Sequence, residues 1–193
     1  MKIGINASFL RKPDTGIGQV TLGFIQELAK TAKKETEFIL YLEEDLPAGL
    51  KLPTNFRKEI FSPFFYRRDD LIRKIWWEKY FLPARAKRDG CDTFLSLYQC
   101  PTVMFKSIKH VMLVHDIIPK IFPEYLNNQR KRIYQNLTED AIQKADRVIA
   151  VSKHTEKDII KYLGVAGERL ALPSLAEFTR AHRPLDSSNT HTV

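Results

Sequence analysis

Two short segments carry residues whose types and spacing suit chemistry on a phosphate or a sugar. Asp14-Thr15-Gly16-Ile17-Gly18-Gln19 sets two glycines ahead of an apolar-periodic run. Such glycines allow close backbone approach, and the helix they open offers free N–H groups and a positive dipole end to an anion. His115-Asp116-Ile117-Ile118-Pro119 follows directly on an apolar run ending at Val114. An imidazole there would donate to a sugar hydroxyl or a phosphate oxygen. Asp116 is a candidate to orient it, although neighbours at a strand end usually point apart. The plainer alternative is a histidine satisfied by a backbone carbonyl in a tight loop.

Other chemistries fit less well. The dinucleotide fingerprint G-x-G-x-x-G would need a third glycine where Thr21 stands, and it would follow the first strand at once rather than about ten residues later. Glu43 and Glu44, after the second strand, are the only candidates for its ribose-binding acid. The five histidines form no H-E-x-x-H, and Cys91 and Cys100 have no histidine at ligand spacing, so no metal is expected. There is no D-x-D for a metal-chelated nucleotide sugar. Two cysteines also make no disulfide framework, which points to a reducing, cytoplasmic setting.

Residues 61–90 hold eight Lys or Arg against four acids, half of the net charge of +8, and eight of the 21 aromatic residues. Phe64, Phe65, Arg67, Arg68 and Trp77 are the candidate surface for an anionic membrane, where basic and aromatic side chains interleave. Stacking on single-stranded nucleic acid would use the same mixture. The competing reading is an ordinary helix with Ile72, Ile75, Trp76 and Leu82 facing the core and the cations facing water.

These segments must be positioned by a framework, and the rhythm of the chain supplies one. Strand-like runs at 2–6, 37–42, 92–97, 110–114 and 146–151 alternate with helical stretches, the pattern of βαβ units and a parallel sheet. The first helix starts near Ile17 with Ile17, Val20, Phe24 and Leu28 on one face. A second runs from Leu71 to Lys87, broken or bent near Pro83. A third spans Asn127 to Ala145 with Ile133, Leu137 and Ala141 on one stripe. The last covers Lys153 to Leu163, with Ser152 as its cap and Glu156 one place too late for a strict capping box. From Leu172 onward periodicity ends. In open sheets of this kind ligands bind beyond the carboxyl ends of the strands, which selects the loops at 7–16, 98–105, 115–124 and 152.

Composition agrees with a globular chain. At 193 residues with 44% apolar and 28% charged residues, it is long enough to bury about 70% of its extended surface. No stretch approaches the ~18 consecutive apolar residues of a membrane span, and the N-terminus lacks the apolar core of a signal peptide. The sequence pI of about 9.4 leaves anionic lipid, nucleic acid and phosphorylated small molecules open as partners.

Taken in order, Lys2-Ile3-Gly4-Ile5-Asn6-Ala7 with Thr15-Gly16-Ile17-Gly18-Gln19, then Val114-His115-Asp116-Ile117-Ile118-Pro119, then Lys144 through Thr155, resemble the N-terminal domain of glycosyltransferase family 4. The resemblance implies an α/β fold: a Rossmann-like doubly wound parallel sheet, the N-terminal half of a GT-B fold. Residues 1–172 would be the acceptor-side domain and 173–193 a linker or tail, with the C-terminal donor-binding domain absent. It implies transfer of a sugar, with retention and without cofactor or essential metal, from a nucleoside-diphosphate-sugar to a saccharide or lipid-linked acceptor. It further implies that Gly16 and Gly18 approach the donor phosphates or reacting sugar, that His115 contacts the transferred sugar beside Asp116, and that Ser152, Lys153 and His154 line the cleft. The family's Arg/Lys pair for the diphosphate and its Glu-x7-Glu segment belong to the second domain. Glu27/Glu35 and Glu35/Glu43 match that interval by number only. The expected partners are the two substrates, a missing domain or partner subunit, and peripheral contact with an anionic membrane, with no nucleic acid. A stand-alone nucleotide-binding domain and a non-catalytic basic membrane module are the alternatives.

Overall fold

The computed structural model describes residues 1–60 and 70–172. Phe64, Phe65, Arg67 and Arg68 of the candidate membrane surface, and the expected tail, lie outside the described residues. Among those described, β1 (Lys2–Asn6), β2 (Glu37–Leu42), β3 (Phe56–Ile60), β4 (Thr93–Ser96), β5 (Lys109–Val114), β6 (Arg147–Ala150) and β7 (Leu170–Ala171) form one sheet. The order is β3-β2-β1-β4-β5-β6-β7, and every pairing is parallel. The chain winds outward from β1 to β3, returns to β4 and winds outward the other way. Strand order therefore reverses between β1 and β4, and this α/β arrangement is the Rossmann-like, doubly wound parallel sheet expected from the sequence.

Both faces of the sheet are covered, so its central strands are buried nearly throughout. In β2, Phe38, Leu40 and Leu42 pack with Ile5 and Ile25 under α1 (Gly16–Thr31). Ile39 and Tyr41 point the other way, against Trp77, Leu82 and Ala86. Gly4 permits that second layer, because a Cβ there would stand 2.8 Å from the Phe94 ring and 3.0 Å from that of Tyr41. The outer strands β5 and β6 meet α5 (Gln129–Lys144) and the closing helix through Met112, Val148, Ile142 and Ile159.

The chain from Asp70 to Arg88 is one continuous helical path with a wide turn inside it. α2 (Asp70–Trp76) passes into a π-helical turn over Trp77–Phe81 and then α3 (Leu82–Arg88). The Leu82 N–H reaches back five residues to the Trp77 carbonyl. The wider turn accommodates Pro83, which has no N–H and whose ring would crowd an α-helical carbonyl four residues earlier. The helix runs through Pro83 without a break by way of this turn, and that has a consequence for the face. Trp77 is only 1% exposed and stacks on Phe81 at 4.9 Å, whereas Trp76 and Ile72 are exposed. Trp77 is therefore a core residue and not part of a membrane surface. Trp77 and Leu82, five apart, share the core face only because a π turn separates them.

Two further differences concern helix faces. Ile133 of α5 is 55% exposed, and the buried side holds Thr138, Ala141 and Ile142. In α1 the most buried line is Gly18, Thr21 and Ile25, flanked by Leu22, Phe24 and Leu28. Small and hydroxylic residues occupy the closest approach to the sheet, so an apolar count alone sets each stripe slightly off axis. The edge strand β3 carries Arg57, Lys58 and Glu59 and has no apolar alternation, which suits an unpaired edge and hides the strand from pattern. A short α4 (Ile118–Ile121) follows β5, and α6 (Lys153–Asp158) runs through a second π turn to Leu163.

Candidate functional site

At the reversal between β1 and β4, beyond the carboxyl ends of the strands, a cavity of about 310 Å³ opens. Its walls come from the segments that follow β1, β4 and β5: Phe9, Tyr98 and Gln99, and Asp116. α1 contributes Ile17, α2 contributes Lys74, and α5 contributes Lys131 and Tyr134. This is the position at which open α/β sheets bind ligands, and three of the four loops selected from the sequence reach it.

Beneath the cavity lies a polar cluster that no sequence motif announced. Glu78, in the π turn, is fully buried. Its Oε1 accepts from the Tyr98 hydroxyl at 2.5 Å and its Oε2 from the Tyr134 hydroxyl at 2.9 Å. The Tyr98 oxygen in turn lies 3.1 Å from Asn6 Nδ2, which donates to it, and 2.9 Å from Ser8 Oγ. Burial pushes the Glu78 carboxyl above its ordinary value, outweighing Lys74 and the two hydroxyls, which pull it down. Burial and the neighbouring Glu78 raise both tyrosines, so they remain protonated donors. The cluster joins β1, the π turn after α2, the segment after β4 and α5 under the strand reversal. A carboxylate at an apolar-facing helical position, within hydrogen-bond range of two tyrosines distant in sequence, leaves no local signature.

Each residue singled out from the sequence has a definite place. His115 is half-buried, and its Nε2 lies 3.0 Å from the Leu97 carbonyl oxygen; since a carbonyl only accepts, Nε2 carries the proton. Gln99, which sequence reading passed over, fastens the same loop. Its Oε1 accepts from the His115 N–H at 3.1 Å and its Nε2 donates to the Asp116 carbonyl at 3.2 Å. The Asp116 carboxylate does not orient the imidazole; its Oδ1 accepts from the Ile118 N–H at 3.1 Å and shapes the turn into α4.

Ser152 does cap α6, its Oγ accepting from the Thr155 N–H at 3.1 Å. Thr155 then donates to the His115 carbonyl at 3.1 Å, which ties the start of α6 to the histidine loop. Lys153 and His154 are exposed beside it, and His154 pairs with Asp158 at 3.3 Å.

The two glycines differ. A Cβ on Gly16 would meet nothing within 4 Å, whereas on Gly18 it would stand 1.9 Å from the Lys12 carbonyl oxygen. Thr15 locks this loop, accepting from the Gly18 N–H at 3.1 Å and donating to Lys12 O at 2.9 Å. Gly16 thus presents open space, and Gly18 is required by the loop itself.

The dinucleotide elements are engaged elsewhere. Glu43 is clasped by Arg11 at 3.3 Å and Arg73 at 3.1 Å, and Thr21 donates to the Ile17 carbonyl at 2.8 Å within α1. Both cysteines are buried, and burial pushes the Cys100 thiol up to about 11, so neither is poised as a nucleophile. Among the described residues no cluster of three His, Cys, Asp or Glu stands ready for a metal ion, and no helix is long and apolar enough to cross a membrane.

The family model for Glycosyltransferase Family 4 matches residues 15–172. The chain belongs to that family, as the three motif segments suggested, and is a domain of glycosyltransferase type. No curated protein matches it significantly. Among solved structures, a lipopolysaccharide outer core galactosyltransferase, WaaB, in its apo form is similar at 12% identity and a TM-score of 0.48, over 89% of this chain and 44% of that one. A glycosyltransferase from Rickettsia africae ESF-5 is similar at 11% identity and a TM-score of 0.44, over 89% of this chain and 42% of that one. The chain thus spans less than half the length of either.

Proposed function

We propose that this chain is the acceptor-side wall of a retaining glycosyltransferase that moves a sugar from a nucleoside-diphosphate-sugar to a saccharide or lipid-linked acceptor. The observation that carries the reading is the family match over 15–172, which runs from the glycine loop through the histidine loop to α6 and β7. The cavity at the strand reversal receives the acceptor. Its wall of Phe9, Tyr98 and Tyr134 suits the C–H face of a sugar ring, and Gln99 and Asp116 stand beside it.

The chemistry requires stabilisation of a departing diphosphate and of oxocarbenium-like charge on the transferred sugar. Gly16, with open space before it at the start of α1, lets a ligand approach the helix N-terminus. His115, whose backbone is held by Gln99 and Thr155 and whose Nε2 donates to the Leu97 carbonyl, stands at the end of β5 and is the residue we assign to the transferred sugar. Groups for the nucleoside diphosphate come from a donor-binding domain outside residues 1–172, so these residues alone bind acceptor and do not turn over. Titrating the purified chain with saccharides and nucleotide sugars, with product analysis, tests this directly. Saccharide binding without transfer is expected. Transfer by the chain alone, or no saccharide binding, would contradict it.

A further inference from the structure

Lys74 is a cation set among aromatic rings, with no hydrogen-bond acceptor among the described residues. Its Nζ stands 4.9 Å from the ring centroid of Tyr134, 5.3 Å from that of Phe9 and 5.4 Å from that of Tyr98. The nearest carboxylate oxygen, Glu78 Oε1, is 3.9 Å away, beyond hydrogen-bond range, and both Glu78 oxygens already accept from tyrosine hydroxyls. Among the described residues, no oxygen accepts a hydrogen bond from Lys74 Nζ. The side chain is 24% exposed, and it lines the cavity.

Ring faces attract the charge but offer no oxygen to its N–H donors, and an ammonium so placed gains most from a charged acceptor. The cavity supplies the matching field. Lys131 is a second cation on its wall, while Asp116, the one carboxylate on it among the described residues, is engaged by the Ile118 N–H.

We propose that this cavity is an oxyanion-recognising subsite in which Lys74, caged by Phe9, Tyr98 and Tyr134 and steadied by Glu78, receives the phosphate or carboxylate group of a saccharide ligand. The proposal rests on the reading of the cavity as the acceptor's and names the charge that acceptor carries. The rings hold the sugar, and the ammonium selects the anionic one.

Calorimetric titration of the 193-residue chain with glucose 6-phosphate, glucuronate, methyl glucoside and inorganic phosphate tests it. At least one anionic sugar should bind about tenfold or more tighter than methyl glucoside, as a charge-assisted hydrogen bond provides. Lys74→Met should abolish that preference and leave methyl glucoside unchanged. Because this variant strands Glu78 without its cation, Lys74→Met/Glu78→Gln is measured beside it, and the same loss is expected. A preference that survives in either variant, with an unchanged thermal midpoint, would overturn the proposal. So would anionic sugars binding no tighter than methyl glucoside; the proposal then fails while the acceptor reading stands. Inorganic phosphate binding as tightly as glucose 6-phosphate, with the same dependence on Lys74, would make the site one for a free anion and overturn its saccharide half. If no saccharide of either charge binds, both readings fall together.

Discussion

Gly16 and Gly18 are two residues apart and should respond to substitution in opposite ways. Gly18→Ala drives a Cβ to 1.9 Å from the Lys12 carbonyl, a backbone atom that cannot swing aside, so a loss of about 1–3 kcal/mol in urea-unfolding stability is expected. Gly16→Ala finds open space at the first turn of α1 and should gain up to about 1 kcal/mol. If a ligand approaches Gly16, the same variant binds or turns over more weakly while folding better. Unchanged affinity would remove Gly16 from the site. His110 gives a second measurement at this scale. It is buried against Ser96 Oγ at 2.9 Å, and burial lowers its pKa from 6.5 to about 4, with Asp146 opposing. The unfolded chain therefore binds the proton first, and stability falls as pH drops from about 6.5 to about 4, by roughly 3 kcal/mol. His110→Gln should flatten that part of the profile; an unaltered slope would assign it to other groups. The sequence marked His115, Asp116, Gly16 and Ser152 because each sits where a strand ends or a helix begins. It could not mark Glu78, Lys74, Tyr98 and Tyr134, which meet only when four elements pack.

The π turn at Trp77–Phe81 decides which tryptophan the core receives. Trp77→Ala should cost about 3–5 kcal/mol, as large core truncations do, and Trp76→Ala well under half of that. Equal losses in chemical denaturation would mean that the helix keeps an α-helical register through this segment. Strands β1, β2, β4, β5 and β6 were legible from their apolar runs, since buried parallel strands are apolar on both faces. β3 and β7 were not, one being a charged edge and the other two residues long. The longer helices were legible from their three- and four-residue spacing, whereas α4 fell in a segment read as loop, and the faces were not legible. Three- and four-residue spacing assumes a regular α-helix, and it passes over small or hydroxylic residues such as Gly18, Thr21 and Thr138 at the closest contacts.

For the molecule as a whole, one reversal of strand order gathers the glycine loop, the histidine loop and the buried Glu78 cluster at one edge of the sheet. The doubly wound plan follows from the alternation of strands and helices, and the family from three ordered motifs. The acceptor chemistry proposed above is written in neither, because it rests on the packing around Lys74. The central claim is that this edge holds a sugar acceptor while the transfer chemistry needs a donor-binding domain as well. The most direct test is nuclear magnetic resonance titration of the 193-residue chain with saccharides, nucleotide sugars and NAD(H), with product analysis of the same samples. Saccharide-induced shifts gathered at Lys74, Tyr98, Gln99 and Tyr134, with no sugar transferred, are the predicted result. Sugar transfer by the chain alone, or saturable NAD(H) binding at the glycine loop with no response to any saccharide, would contradict it.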